Sequence, residues 1–204
     1  MKSTMKRIGP FFTGIALWAA TVVAQTPPAT IKNLQSAYQG EADAASFYRQ
    51  CAQQAAREGY PDMAKLFRAA AASEEVHREN HLRVLRKLGE PVPRLKPSDE
   101  QQKSTRENLA ASAADERQEC RVMYPDYYRT ARQENMRGAM QTFRYAREAE
   151  RIHAQLFTRA YNRFGKRAPT DYFVCRTCGM TVSDKVPAVC PTCRGSGLDY
   201  NQIK

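Results

Sequence analysis

The chain has 204 residues, enough for one or two domains with a genuine core, and carries a formal net charge of +11 at pH 7. A basic balance admits nucleic acid, but Arg49, Arg57, Arg68, Arg78, Arg83 and Arg86 recur at helical spacing with acids between them. That is the pattern of solvated helix faces, and it argues against a nucleic-acid partner.

The N-terminus sets Lys2, Lys6 and Arg7 before an apolar run from Phe11 to Ala24, followed by a polar TPP. This is the layout of a secretory signal peptide over 1–24, with Val22-Val23-Ala24 as the small-residue cleavage site. This run of 14 residues falls short of the roughly 20 that span a bilayer, which favours cleavage over retention as a membrane anchor. The expectation is an exported, periplasmic protein whose mature net charge is +8.

From Thr30 to Gly165 the sequence is rich in alanine, lacks β-branched runs and spaces its apolar residues at helical intervals, which predicts four helices. The first covers 30 to 57 and stops at Gly59; the second starts after Pro61 and stops at Gly89. The linker EPVPRLKPSDEQQ carries three prolines, which exclude helix and mark a crossover. The third helix opens on Ser104-Thr105-Arg106-Glu107, a capping-box pattern, and the fourth ends at Gly165. Helices of this length pack as a bundle. The expected fold is an all-α four-helix bundle over 25–168 with a small C-terminal module over 169–204.

The two halves of the helical region repeat. Asn33-Leu34 leads to Glu41 as Asn108-Leu109 leads to Glu116, an offset of 75. Further on the offset is 76: Tyr48 matches Tyr124, Phe67 matches Phe143, Glu74 matches Glu150 and His77 matches His153. One residue is therefore inserted between Glu116 and Tyr124, a stretch that also holds Glu119, where the first half has Ala44. An extra residue inside a helix is most simply absorbed as a π-bulge, although Pro125 alone could bend this helix.

Glu74-x-x-His77 and Glu150-x-x-His153 each place a carboxylate and an imidazole on one helical face, within reach of one metal. Glu41 and Glu116 add one carboxylate from each remaining helix, which completes the ligand pattern of ferritin-like dimetal bundles. Carboxylates and imidazoles converging in a core need cations to offset their desolvation, and this oxygen and nitrogen set suits iron or manganese. Tyr48 and Tyr124 fall near the ligand faces, either as donors that orient carboxylates or as packed aromatics. His81 stands outside the motif as a surface residue or a supporting one.

Six cysteines in an exported chain would suggest disulfides, yet Cys175-x-x-Cys178 and Cys190-x-x-Cys193 are two knuckles separated by eleven residues. Such a pair of knuckles makes a tetrathiolate site for iron or zinc. Cys51 and Cys120 read as small buried apolar residues.

From 30 to 204 the order of a ferritin-like bundle and a module with FVCRTCGM and VCPTC resembles the rubrerythrin family, the module itself resembling rubredoxin. The resemblance implies two non-haem irons: the first on Glu41 and either His77 or Glu119, the second on Glu116 and His153, with Glu74 and Glu150 bridging. It also implies a homodimeric peroxidase that reduces hydrogen peroxide to water, with electrons relayed through an Fe(Cys)4 centre from an unidentified donor. A ferroxidase, or an iron-handling protein with a structural zinc knuckle, is the rival reading. One departure stands out: Arg194 occupies the place where the family has a glycine after the second knuckle, a left-handed position.

Overall fold

The computed structural model describes residues 28–96, 101–166 and 169–204, so the expected signal peptide lies outside the described residues. Among the described residues no helix is long and apolar enough to cross a membrane. Helices α1 (Ala29–Arg57) and α2 (Pro61–Lys87) pack as one pair. The second pair sets α5 (Arg137–Asn162) against a rod made of α3 (Thr105–Gln118), a π-helical turn (Glu119–Met123) and α4 (Tyr124–Gln133). The expected third helix is thus one rod in three segments. Its π turn absorbs the residue that breaks the repeat, with Tyr124 N–H bonded to the Glu119 carbonyl five residues back.

The repeat also governs how the helices begin. Pro28 offers α1 no side-chain cap, and instead the Glu134 carboxylate after α4 accepts hydrogen bonds from Ala29 N and Thr30 N at 2.9 and 3.0 Å. Glu58, the repeat-related residue after α1, accepts from Thr105 N at 3.0 Å, beside the capping box that Ser104 and Glu107 form. Each half therefore closes the N-terminus of the other half's first helix. The residues that follow are equivalent too: Gly59 and Asn135 both take positive φ, +83° and +56°, which turns the chain into the second helix of each pair.

The core is split. One apolar cluster gathers Tyr48, Phe67 and Phe157, and the other gathers Leu34, Leu85, Tyr124 and Phe143, with the ligand-type side chains in the helical stretches between them. At the C-terminus, β1 (Tyr172–Cys175), β2 (Thr181–Ser183) and β3 (Tyr200–Ile203) form an antiparallel sheet in the order β2-β1-β3. This module docks on α2 and α5. Ser73 Oγ donates to the Gly179 carbonyl at 2.6 Å and Asn80 Nδ2 to the Thr177 carbonyl at 3.0 Å, while Lys65 pairs with Asp171 at 2.9 Å. The expected boundary at 168/169 falls between the end of α5 and the start of β1.

The cross-caps make stability depend on pH. Hydrogen bonds from Thr30 hold the Glu134 carboxyl below its ordinary value. A depressed folded pKa means that the contribution is present above the unfolded value and is lost as pH falls through the folded one. Glu134→Ala is expected to lower the unfolding free energy by about 0.5–1 kcal/mol at neutral pH, the usual worth of a cap. In urea denaturation the gap between wild type and variant should shrink towards zero as pH drops below about 4. A gap that stays constant would show that the carboxylate is not the cap.

Candidate metal centres

Glu41 comes from α1, Glu74 and His77 from α2, Glu116 from α3, and Glu150 and His153 from α5. None of the six is more than 3% exposed. Their donor atoms fall into two overlapping sets, Glu41, Glu74, His77 and Glu150 in one and Glu74, Glu116, Glu150 and His153 in the other, each within 4.8 Å. Glu74 and Glu150 belong to both sets, the placement a pair of bridging carboxylates requires. His77 Nδ1 lies 2.8 Å from Glu74 and 3.0 Å from Glu150, and His153 Nδ1 lies 2.9 Å from Glu150 and 3.3 Å from Glu74.

Four carboxylates in one dry cavity repel one another unless positive charge joins them. Burial pushes the Glu116 carboxyl up to about 8, and burial with the neighbouring Glu150 raises that of Glu74. Glu116 Oε2, both Glu150 oxygens and His153 Nδ1 have no hydrogen-bond partner among the described residues. Orphaned buried acceptors facing one another are what a cation would satisfy, so the donor set fits a pair of metal ions.

Tyr48 and Tyr124 both act on this cluster, each serving the opposite half of the repeat. Tyr48 Oη donates to Glu116 Oε1 at 2.6 Å, and Tyr124 Oη donates to Glu41 Oε1. Each hydroxyl fixes a terminal carboxylate that comes from the other helix pair. His81 is no surface residue. It is fully buried, shares a 3.1 Å hydrogen bond between Nδ1 and Thr142 Oγ1, and stands 3.4 Å from the Tyr124 hydroxyl. The sequence did not reveal this placement, because the partners lie 43 and 61 residues away. Glu119 sits on the π turn and belongs to neither donor set. Burial and the neighbouring Glu116, Glu41 and Glu150 carboxylates keep its carboxyl well above the ordinary value.

The second centre is a fitted tetrathiolate. Cys175 and Cys193 sulfurs are 3.7 Å apart and those of Cys178 and Cys190 are 3.6 Å apart. A disulfide needs roughly 2.05 Å, whereas four thiolates bonded at about 2.3 Å to one tetrahedral ion lie about 3.8 Å from each other. The two knuckles match: Gly179 N donates to the Cys175 carbonyl and Arg194 N to the Cys190 carbonyl, with φ of +77° and +65°. Arg194 does occupy the left-handed position, at a cost of about 1 kcal/mol relative to glycine. Cys51 and Cys120 are buried and belong to neither donor set.

The docking contacts join the two centres, and no motif in the sequence announces them. With Nδ1 turned to the carboxylates, His153 Nε2 donates to Thr181 Oγ1 at 2.9 Å, and that hydroxyl donates on to the Gly179 carbonyl at 3.4 Å. His77 Nε2 faces Gly179 itself, so closely that a methyl group there would collide with the imidazole.

The metal-free site holds protons that metal must displace. Burial opposes charge on both imidazoles, but the Glu150 carboxylate beside His77, and Glu116 and Glu74 beside His153, raise both pKa values well above the histidine range. Ferrous ion titrated anaerobically into the bundle is therefore expected to release protons, and its apparent affinity should rise with pH by up to about tenfold per unit for each proton displaced. Glu150→Ala removes a donor common to both sets and should lose both bundle ions while the tetrathiolate stays loaded. Retention of two ions in that variant would overturn the ligand assignment.

Comparison with known proteins follows the same lines. The sequence profile of the family described as Rubrerythrin matches residues 32–161. Rubrerythrin-2 of Clostridium acetobutylicum is 34% identical over 163 residues, covering 78% of this chain and 89% of its own length. Nigerythrin of Nitratidesulfovibrio vulgaris is 29% identical, covering 80% of this chain and 81% of its own. A solved structure of nigerythrin in a fully reduced, all-ferrous state superposes with a TM-score of 0.79 at 25% identity, over 98% of this chain and 100% of that one. With a carboxylate–histidine di-iron site in a ferritin-like bundle and four cysteines placed for one iron or zinc ion, the chain belongs to the rubrerythrin family.

Proposed function

We propose that this protein reduces hydrogen peroxide to water at the bundle site, with electrons entering through the C-terminal module. The family as a whole is one of di-iron proteins linked to defence against peroxide and oxidative stress. The observation that carries the reading is that two imidazoles each turn Nδ1 to the dimetal cluster and Nε2 to the tetrathiolate module. When loaded, the di-iron pair would supply the two electrons that, with two protons, convert one hydrogen peroxide to two waters, and an iron in the thiolates would return electrons singly.

The chain's own residues then have separate tasks. Glu74 and Glu150 would hold both ions, and Tyr48 and Tyr124 keep Glu116 and Glu41 from swinging away. Glu119, partly buried on the π turn and outside both donor sets, is an additional anion available when the site gains positive charge on oxidation. Ser73, Asn80 and Thr181 hold the module in place. The reading includes a homodimer served by an unidentified redox donor. It also includes export, supported by the basic and apolar leader, which N-terminal sequencing of the mature protein would test.

Three variants test the reaction. Cys178→Ser should leave a bundle that reacts once with peroxide after chemical reduction but does not turn over with a protein donor. Gly179→Ala should keep both metal sites, since it removes no ligand, yet slow turnover by pushing the module off His77. Unchanged turnover in both would make the module structural, and absence of the visible absorption of ferric tetrathiolate in native protein would assign it to zinc. Glu119→Ala should bind ferrous iron nearly as wild type but slow peroxide turnover and release iron after oxidation; behaviour identical to wild type would remove its role.

A further inference from the structure

Some helix-borne arginines in this chain have an acidic partner: Arg49 and Arg78 meet Glu75, and Arg129 meets Asp126. At the seam between α3 with its π turn and α5, several arginines without one come together. Arg117 and Arg121 rise from one side, and Arg151, Arg159 and Arg163 from the other, around a groove of about 600 Å³. No carboxylate lines it. Arg151 is offset by Glu148 at 3.3 Å, whereas Arg117, Arg121, Arg159 and Arg163 have no acidic partner within 4.0 Å among the described residues.

Arg117 and Arg121 are like charges four residues apart on one rod, and they repel when nothing neutralises them. The groove is also organised. Arg117 Nη1 donates to Thr158 Oγ1 at 3.0 Å, which ties its guanidinium across the seam, and the floor is formed by Ala154 and the largely buried Cys120. A volume of this size lies in the range of small-molecule sites. Guanidinium forks converging without a counter-charge fit phosphoryl oxygens, which each fork can hold through two hydrogen bonds.

We propose that this groove binds a phosphoryl-bearing small molecule, a nucleotide or an inorganic polyphosphate. The site is separate from the dimetal cluster, although Arg117 and Cys120 follow Glu116 and Glu119 directly in the chain. The proposal does not depend on the peroxidase reading.

The test is isothermal titration of the metal-loaded full chain with ADP, pyrophosphate and adenosine. ADP and pyrophosphate should bind saturably and adenosine should not. Tighter binding of ADP assigns the site to nucleotides, and equal binding assigns it to inorganic phosphates. Arg121→Gln with Arg159→Gln should weaken binding by about tenfold or more, the effect of losing charge-assisted hydrogen bonds. Arg49→Gln with Arg129→Gln, a change of equal charge elsewhere, should not. Should the first double variant fail to fold, each single variant is expected to weaken binding severalfold. The proposal is overturned by absence of saturable binding at millimolar ligand, by equal weakening in the control variant, or by unchanged affinity in both single variants. It is also overturned if the groove variant alters the oligomeric state in sedimentation, which would make the seam a contact between copies.

Discussion

Four carboxylates and two imidazoles, all essentially sealed from solvent, meet in the middle of this bundle. Desolvation of so many ionisable groups opposes folding unless the charges are balanced within the cavity. Protons do part of this in the metal-free protein, where the imidazoles are driven towards their charged form by the carboxylates around them. Cations would do it more completely, because they would satisfy acceptors left without a hydrogen bond among the described residues. The divided hydrophobic core follows from the same constraint: apolar side chains flank the cluster, and the ligand-type residues occupy the helical stretches between.

The near-twofold repeat supplies the scaffold for that balance. Exchange between halves recurs at several levels, from Glu58 and Glu134 closing each other's opening helices to Tyr48 and Tyr124 fixing each other's terminal carboxylates. Exchanged contacts tie the two helix pairs together near the site, where electrostatic repulsion would otherwise part them. The departure from symmetry is equally informative. One additional residue forces a π turn into the second half only, and this turn carries Glu119, a partly buried acid with no counterpart in the first. Two sites that are alike in donor type thus have unequal surroundings.

The C-terminal module reaches the same imidazoles from behind. Gly179 can lie against His77 because it has no side chain, and the turn after the first knuckle needs its positive φ for the bond back to Cys175. A single residue thereby meets two demands, one local to the knuckle and one set by the bundle. At Arg194 only the local demand exists, and a side chain is tolerated there.

The sequence by itself determined the parts that depend on near neighbours. Helical periodicity, the capping box at Ser104, the two Glu-x-x-His pairs, the cysteine knuckles and even the π turn, from the break in the repeat offset, can be read from local spacing because a helix or a knuckle turns spacing directly into geometry. Only the tertiary structure decided which hydroxyl serves which carboxylate, that His81 is buried beside Tyr124 and Thr142, that Glu119 stands outside both donor sets, and that the module rests on His77 and His153. It also decided that Arg117, Arg121, Arg151, Arg159 and Arg163, from separate helical segments, converge at the seam of α3 and α5. These features arise from contacts between residues far apart in the chain, where distance is set by how helices pack and not by how many residues separate them.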